Sequence, residues 1–138
     1  LAAVLAHPDS CAALRRFLEA ENADENLAFW LAVEEYRGLE DSDPMKRRRA
    51  DEIFAEFVIT TAPHCVNISA KCRQAVEKSF ADKEVSGAVF DRAQKAIELL
   101  IKRDNFPRFL KSGSFTEFLI ALGAFGVKKQ SAATGAKS

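Results

Sequence analysis

The residues that most often perform enzymatic chemistry are few in this chain and poorly grouped. His7 lies directly before Pro8, and His64 lies between Pro63 and Cys65. Neighbours along a chain do not by themselves form a nucleophile–base pair, so a loop histidine beside a half-buried thiol is the more common situation. The sequence contains no HExxH, GxSxG, P-loop or GxGxxG motif. We therefore expect a protein that is not an enzyme.

The cysteines do not indicate a metal site or a disulfide framework. Cys11, Cys65 and Cys72 make an odd number, and no CxxC pair is present. The pattern favours a reducing, cytosolic setting. We expect the chain to hold no cofactor of its own. No apolar run reaches the ~18 residues that would span a bilayer.

Charge is balanced overall but concentrated in one segment. Lys+Arg and Asp+Glu are both 20, which argues against a nucleic-acid partner because such partners select a basic surplus. One interpretation of the basic run is contact with anionic lipid or an acidic partner. The other, which we favour, is a solvated helix start offset by acidic residues on both sides. The run consists of Lys46, Arg47, Arg48 and Arg49.

Polar residues at predicted helix boundaries are more informative. Glu25 and Asn26 precede an apolar helix, Asn67 lies in a connection, and Asp104 is followed by Arg108. Any one of them alone would be interpreted as capping or turn chemistry.

The elements that must position these residues are helical. Apolar residues recur at i, i+3, i+4, i+7 and i+8 from Ala50 to Val58, which is one stripe of a helix. Asp43 is a good N-cap for this helix, Pro44 suits its first position, and Pro63 requires it to end earlier. Ser69 is the predicted cap of a following helix.

Six further segments have helical periodicity, and no alternating strand pattern is present. Asp24 is a plausible N-cap for the second of them, whose Trp30 should be buried. Pro107 should break the helix near Asp104. The segments are Ser10 to Ala20, Asn26 to Arg37, Ser69 to Phe80, Ser86 to Arg103, Phe106 to Lys111 and Phe115 to Phe125.

Three blocks of the chain resemble, in order and spacing, the regulator of G-protein signalling (RGS) domain. The resemblance covers about Ser10 to Leu122. The blocks are Phe17-Leu18-Glu19-Ala20-Glu21 running into Asp24-Glu25-Asn26-Leu27 and Phe29-Trp30-Leu31, then Val66-Asn67-Ile68, then Phe90 to Gln94 followed by Asp104 to Ser112.

The resemblance implies an all-α, compact nine-helix fold with two subdomains. One is a four-helix bundle, here about Glu25 to Arg103, and the other is built from the terminal helices. We expect a flank at 1–9, the RGS-like domain at 10–127, and a disordered tail at 128–138. We also expect a monomer.

The resemblance further implies a GTPase activator that ends signalling by acting on a partner's active site. The partner would be a G-protein α subunit in its GTP-bound or transition-state form, which brings its own GTP and Mg²⁺. The location would be cytoplasmic, at the inner face of the plasma membrane. The alternative is an RGS-like scaffold that binds a partner without activating it.

The resemblance assigns partner contacts to three segments. They are the Glu–Asn pair before the tryptophan helix, a loop asparagine that would reach the partner's catalytic glutamine, and three residues at the end of the long helix. In this chain these residues are Glu25, Asn26, Asn67, Leu100, Asp104 and Arg108.

Overall fold

A computed structural model describes the backbone of residues 1–134 and the side chains of residues 1–123. All regular structure in this part of the chain is helical, so the all-α prediction is confirmed. Nine helices were expected, and residues 1–134 form eight. They are α1 (Ala2–Ala6), α2 (Pro8–Ala20), α3 (Asp24–Gly38), α4 (Pro44–Ile53), α5 (Ala70–Ala81), α6 (Asp91–Leu100), α7 (Phe106–Leu110) and α8 (Gly113–Thr134).

Two of these helices continue into a wider π-helical turn. Phe54–Val58 extends α4, and Ile101–Asn105 joins α6 to α7. The predicted break at Pro107 is therefore wrong, because the chain stays helical through this position. Proline has no N–H to donate and crowds the preceding turn. In the π turn the amide of Phe106 donates five residues back to Ile101 O, which accommodates the proline in the next turn.

The helix starts follow local capping chemistry in two of three predicted cases. Asp43 caps α4, since its side chain accepts a hydrogen bond of 2.9 Å from Met45 N. Ser69 caps α5 in the same way, with Cys72 N at 3.1 Å. Asp24 is not the cap of α3. The N-cap position is Ala23, without a side-chain hydrogen bond, and Asp24 occupies the first helical turn.

The start of α6 also differs from the prediction. The helix begins at Asp91 rather than Ser86, because the residues between them form turns. The carbonyl of Ser86 accepts a hydrogen bond of 2.9 Å from the Tyr36 hydroxyl of α3. A contact between residues 50 positions apart thus anchors a segment whose local pattern favoured a helix.

The molecule has two hydrophobic cores, as the two expected subdomains require. The larger core joins α3, α4, α5 and α6 and includes Phe29, Phe57 and Phe90. The smaller core joins α2, α7 and α8 and includes Leu14 and Phe109. Helix α3 links the two cores.

Helices α3 and α8 each differ from the prediction in one detail. Trp30 is only half-buried, so the expectation of burial is wrong; its Nε1 donates to Glu98 Oε1 at 3.3 Å. The tail predicted at 128–138 begins inside α8, which is helical as far as Thr134, and residues 135–138 lie outside the described part. The domain boundaries stay predictions. No helix in the described part of the chain has the length and hydropathy needed to cross a membrane.

Candidate partner-binding surface

The connection between α2 and α3 is a tight left-handed turn. Asn22 has a φ of 57°, a region in which asparagine is among the best-tolerated residues after glycine. Its amide donates to Glu19 O at 3.1 Å, and the Ala23 amide donates to Leu18 O at 2.9 Å. These two bonds close the end of α2 and fix the backbone at Glu21.

The first turn of α3 carries the predicted Glu25 and Asn26. Glu25 is half-buried, so its carboxylate can meet a partner at the surface. Asn26 is only 6% exposed, and its Oδ1 accepts no hydrogen bond from the described residues. A buried acceptor without a partner destabilises a fold by ~1–3 kcal/mol. The two neighbours are therefore placed very differently. Glu25 is accessible at the surface, whereas Asn26 is enclosed by the fold.

Asn67 lies at the tip of a three-residue turn between α4 and α5. The amide of Ile68 donates to Val66 O at 3.1 Å, which closes the turn around Asn67. Val66 is 1% exposed and Ile68 is 8% exposed, whereas Asn67 is exposed. The two flanking side chains enter the larger core, and the asparagine is left on the outer side.

The loop that carries Asn67 is held by long-range hydrogen bonds. The amide of Val66 donates to Phe57 O at 2.9 Å, and Arg73 of α5 donates to Val66 O at 2.9 Å. The same guanidinium donates to Val58 O. The position of Asn67 is therefore set by the π turn before the loop and by the helix after it.

Asp104 and Arg108 belong to a network that also contains two residues without a predicted role. The Arg108 guanidinium donates to both carboxylate oxygens of Glu21, with Nη2–Oε1 at 2.9 Å and Nε–Oε2 at 3.0 Å. It also donates to Asp104 Oδ1. Asn105 Nδ2 donates to Glu21 Oε1 at 3.3 Å. We call these four residues the acidic clamp.

The acidic clamp shifts the pKa of two of its members, Glu21 and Arg108. The hydrogen bond from Arg108 holds the pKa of the Glu21 carboxyl below its usual range, against a smaller opposing effect of burial. Hydrogen bonds to Glu21 and then Asp104 raise the pKa of Arg108. The guanidinium of Arg108 thus donates hydrogen bonds to the carboxyl groups of both Glu21 and Asp104. Asp104 is exposed, and its Oδ2 has no hydrogen bond within the described residues, so it can accept one from a partner.

The structure joins the third predicted segment to the turn that precedes the first. The clamp ties the α2–α3 turn, four residues before Glu25, to the end of the π turn that carries Asp104. Leu100 is half-buried and packs against the larger core. Among the described residues, no hydrogen bond or ion pair links Asn67 to the clamp.

Sequence reasoning missed Glu21 and Asn105 as site residues. Both lie inside the runs that carry the RGS resemblance, but neither has a local pattern that indicates its partner. Glu21 and Arg108 are 87 positions apart, and Asn105 and Glu21 are 84 positions apart. Only the tertiary structure brings them together.

The predicted basic patch is smaller than the sequence suggested. Lys46 is 8% exposed, and its Nζ donates to Leu39 O and Asp41 Oδ1, both at 2.9 Å. The ammonium also lies 5.1 Å from the centre of the Tyr36 ring. Lys46 therefore cannot belong to a surface patch, because its charge is already satisfied inside the fold.

The three arginines that follow differ in their contacts. Arg47 pairs with Asp51 at 3.1 Å, and Arg49 pairs with Glu52 at 3.1 Å. Arg48 is exposed and makes no ion pair within the described residues. A lipid contact through Arg47, Arg48 and Arg49 stays a prediction.

No group of three or more His, Cys, Asp or Glu side chains within the described residues is arranged to hold a metal ion. The clamp and the Asn67 loop are polar surfaces that offer hydrogen-bond donors and acceptors to the solvent.

Known proteins resemble most of this chain. The family model described as "Regulator of G protein signaling domain" matches residues 1–118. Regulator of G-protein signaling 8 of Rattus norvegicus is 39% identical over 116 residues, which cover 84% of this chain and 63% of that protein. Regulator of G-protein signaling 1 of Xenopus laevis is 39% identical over 112 residues, covering 81% and 54%. Regulator of G-protein signaling 21 of Homo sapiens is 38% identical over 109 residues, covering 79% and 70%.

The matched part of the chain thus spans less than two thirds of the length of the Rattus norvegicus and Xenopus laevis relatives. The family model covers all the described residues of the two cores and all six predicted contact residues. The match confirms the resemblance seen in the three sequence blocks: the chain belongs to the regulator of G-protein signaling (RGS) domain family.

Proposed function

We propose that this chain binds the α subunit of a heterotrimeric G protein and accelerates its GTP hydrolysis. Membership of the RGS domain family supports a role in G-protein signalling. The proposed acceleration of GTP hydrolysis depends on how the exposed polar groups are held at the surface.

A G-protein α subunit needs little chemistry from a partner. It holds its own Mg²⁺, supplies a catalytic arginine in cis, and orients the attacking water with a glutamine. A protein that binds the mobile switch segments more tightly in the transition state than in the ground state will speed the reaction. Each 1.36 kcal/mol of that difference corresponds to about tenfold in rate.

The main support for the proposal is that a rigid loop holds Asn67 at the surface. Its loop is held by Val66 and Ile68 in the larger core and by the guanidinium of Arg73, yet its own side chain is exposed. A loop whose backbone is already fixed loses little conformational entropy when it contacts a partner. Because the amide both donates and accepts, it can pack against the partner's glutamine and hold its geometry.

The other predicted residues would provide binding rather than chemistry. Glu25 and Asp104 offer carboxylate oxygens to backbone amides of the switch segments. Glu21 and Arg108 hold Asp104 in place through the acidic clamp. Leu100 and Asn26 would act from within the fold by supporting these surfaces.

The test is single-turnover GTP hydrolysis by a purified α subunit, with and without this domain. We expect a clear increase in rate with the domain. Binding should be tightest to the α subunit loaded with GDP and aluminium fluoride, which mimics the transferred phosphoryl group. A domain that binds all nucleotide states equally and leaves the rate unchanged would be a scaffold, and the proposal would fail.

A further inference from the structure

Arg73 holds the loop that carries Asn67 at two separate points. Its Nη2 donates a hydrogen bond to Val66 O at 2.9 Å, and its Nη1 donates to Val58 O. The two carbonyls lie at opposite ends of residues 59–65, since Val58 is the last residue of the π turn and Val66 directly precedes Asn67. One planar guanidinium therefore joins the start of the loop to the peptide unit next to Asn67.

The bond to Val66 acts on the backbone of Asn67 itself. The Val66 carbonyl and the Asn67 amide belong to one planar peptide group, so the bond that holds this carbonyl also orients the backbone from which the Asn67 side chain projects. The amide of Ile68 donates to the same oxygen at 3.1 Å. That bond lies within the turn, whereas the bond from Arg73 fixes the turn relative to α5.

The place of Arg73 in α5 is a second, independent indication of a role in the loop. Arg73 is the fourth residue of the helix, and its amide donates to the carbonyl of the Ser69 cap at 2.9 Å. Helical side chains point back toward the N-terminus, which brings the guanidinium over the preceding loop. A cation near a helix N-terminus is mildly unfavourable. Within the described residues, this guanidinium donates to two backbone carbonyls and to no carboxylate.

We propose that Arg73 is the positioning residue for Asn67 and that it determines how fast the bound partner hydrolyses GTP rather than how tightly the partner binds. The inference rests on the proposed function, in which Asn67 packs against the partner's glutamine. Without Arg73, the carboxylates of Glu25 and Asp104 would still bind, because they lie on other segments. The amide of Asn67 would be misplaced, and a displacement of about 1 Å at a positioning group can lower a rate by on the order of 10²-fold.

The test is single-turnover GTP hydrolysis by a purified α subunit over a series of concentrations of the 138-residue chain. This series separates the maximal rate from the concentration that gives half of it. Arg73→Gln should lower the maximal acceleration about fivefold or more and change the half-saturating concentration by less than about twofold. Arg73→Lys keeps the charge but not the planar fork, so it should restore only part of the rate. A loss that appears only as a higher half-saturating concentration would overturn the proposal.

A double-mutant cycle tests whether Arg73 acts through Asn67. Asn67→Ala should lower the maximal acceleration at least about tenfold in the parent but only about twofold in the Arg73→Gln variant. Losses that multiply in full would mean that Arg73 acts by a separate route, and the proposal would fail.

Two control variants separate positioning from charge and from stability. Lys71→Gln removes an exposed cation from the same turn of α5 and should keep the parent's maximal rate. Lys46→Gln removes a buried donor to Leu39 O in α4, so it lowers stability without a change in the loop, and it should also keep that rate. An equal loss of maximal rate in Lys46→Gln would show that lower stability alone explains the effect of Arg73→Gln.

Amide hydrogen exchange of the free chain tests the loop without the partner. Arg73→Gln should speed exchange at the Ile68 amide about tenfold or more, and it should leave the Glu84 amide, which closes the opposite end of α5, within about twofold. Equal protection of Ile68 in parent and variant would overturn the proposal. A parent chain that does not accelerate hydrolysis would contradict the proposed function and with it the effect of Arg73 on the rate, whereas the exchange rates would still decide whether Arg73 holds the loop.

Discussion

Glu21 is the residue on which the acidic clamp depends, because it accepts hydrogen bonds from both Arg108 and Asn105. The pKa of its carboxyl is lowered in the folded protein, against ~4.3 in an unfolded chain. Such a group stabilises the fold above the unfolded pKa, and this stabilisation is lost as the pH falls through the folded pKa. Glu21→Gln should therefore lower stability near neutral pH, and its difference from the parent should shrink in acid.

Urea unfolding of parent and variant between about pH 7 and about pH 3 measures this difference. Glu77→Gln is the matched control, since Glu77 is exposed on α5 and forms no ion pair within the described residues. Its difference from the parent should be small at every pH. A Glu21→Gln difference that grew as the pH fell would contradict the clamp.

Lys46 and Arg48 both lie in α4, but Lys46 is buried and Arg48 is exposed. Substituting each of them compares what a buried and an exposed cation contribute to the free energy of unfolding. Lys46→Gln removes the donor from Leu39 O and leaves a carbonyl without its partner. Stability should fall by ~1–3 kcal/mol. Arg48→Gln should change it by less than ~0.5 kcal/mol. Equal effects in urea unfolding would show that Lys46 is not held as the structure describes.

The end of helix α5 contains one strained backbone position, and a substitution can relieve this strain. Lys83 has a φ of 58°, and the amides of Lys83 and Glu84 donate to Phe80 O and Ser79 O to close the helix. This left-handed position favours glycine, and other L-residues there are strained by roughly 1–2 kcal/mol. Lys83→Gly should raise stability by ~0.5–1 kcal/mol, the remainder being offset by the flexibility of glycine in the unfolded chain.

Thermal unfolding of Lys83→Gly checks this expectation, with Lys83→Ala as the control. Alanine removes the same charge but keeps the Cβ atom, so it should bring no comparable gain. A destabilised glycine variant would mean that the Lys83 side chain contributes more than its backbone strain removes.

The sequence predicted those element boundaries that depend on neighbouring residues. Asp43 with Pro44, and Ser69, mark helix starts through hydrogen bonds to amides two or three residues away. The start of α6 was wrong because Ser86 is bound by Tyr36 from another helix. A local pattern contains no information about such a bond.

At the scale of the whole molecule, the sequence predicted the all-α fold and two subdomains but not how the polar surface is assembled. Helical periodicity and the RGS resemblance identify which faces are apolar. They do not reveal that Arg108 reaches Glu21 or that Lys46 turns inward. Those placements depend on side chains far apart in the chain. The predicted contact residues are thus held either by neighbours that enter a hydrophobic core, as at Asn67, or by the acidic clamp, as at Asp104.

In the proposed function, Asn67 acts on the partner's reaction from a rigid loop. The direct measurement is single-turnover GTP hydrolysis by an α subunit at saturating domain concentration, comparing the parent with Asn67→Ala. We predict at least a tenfold loss of acceleration, about 1.4 kcal/mol of transition-state stabilisation. Asn67→Ser should lose less because a hydroxyl keeps part of the hydrogen bonding. Gln74→Ala, which removes an exposed amide from α5, should match the parent. If Asn67→Ala accelerates hydrolysis as well as the parent does, the claim is contradicted.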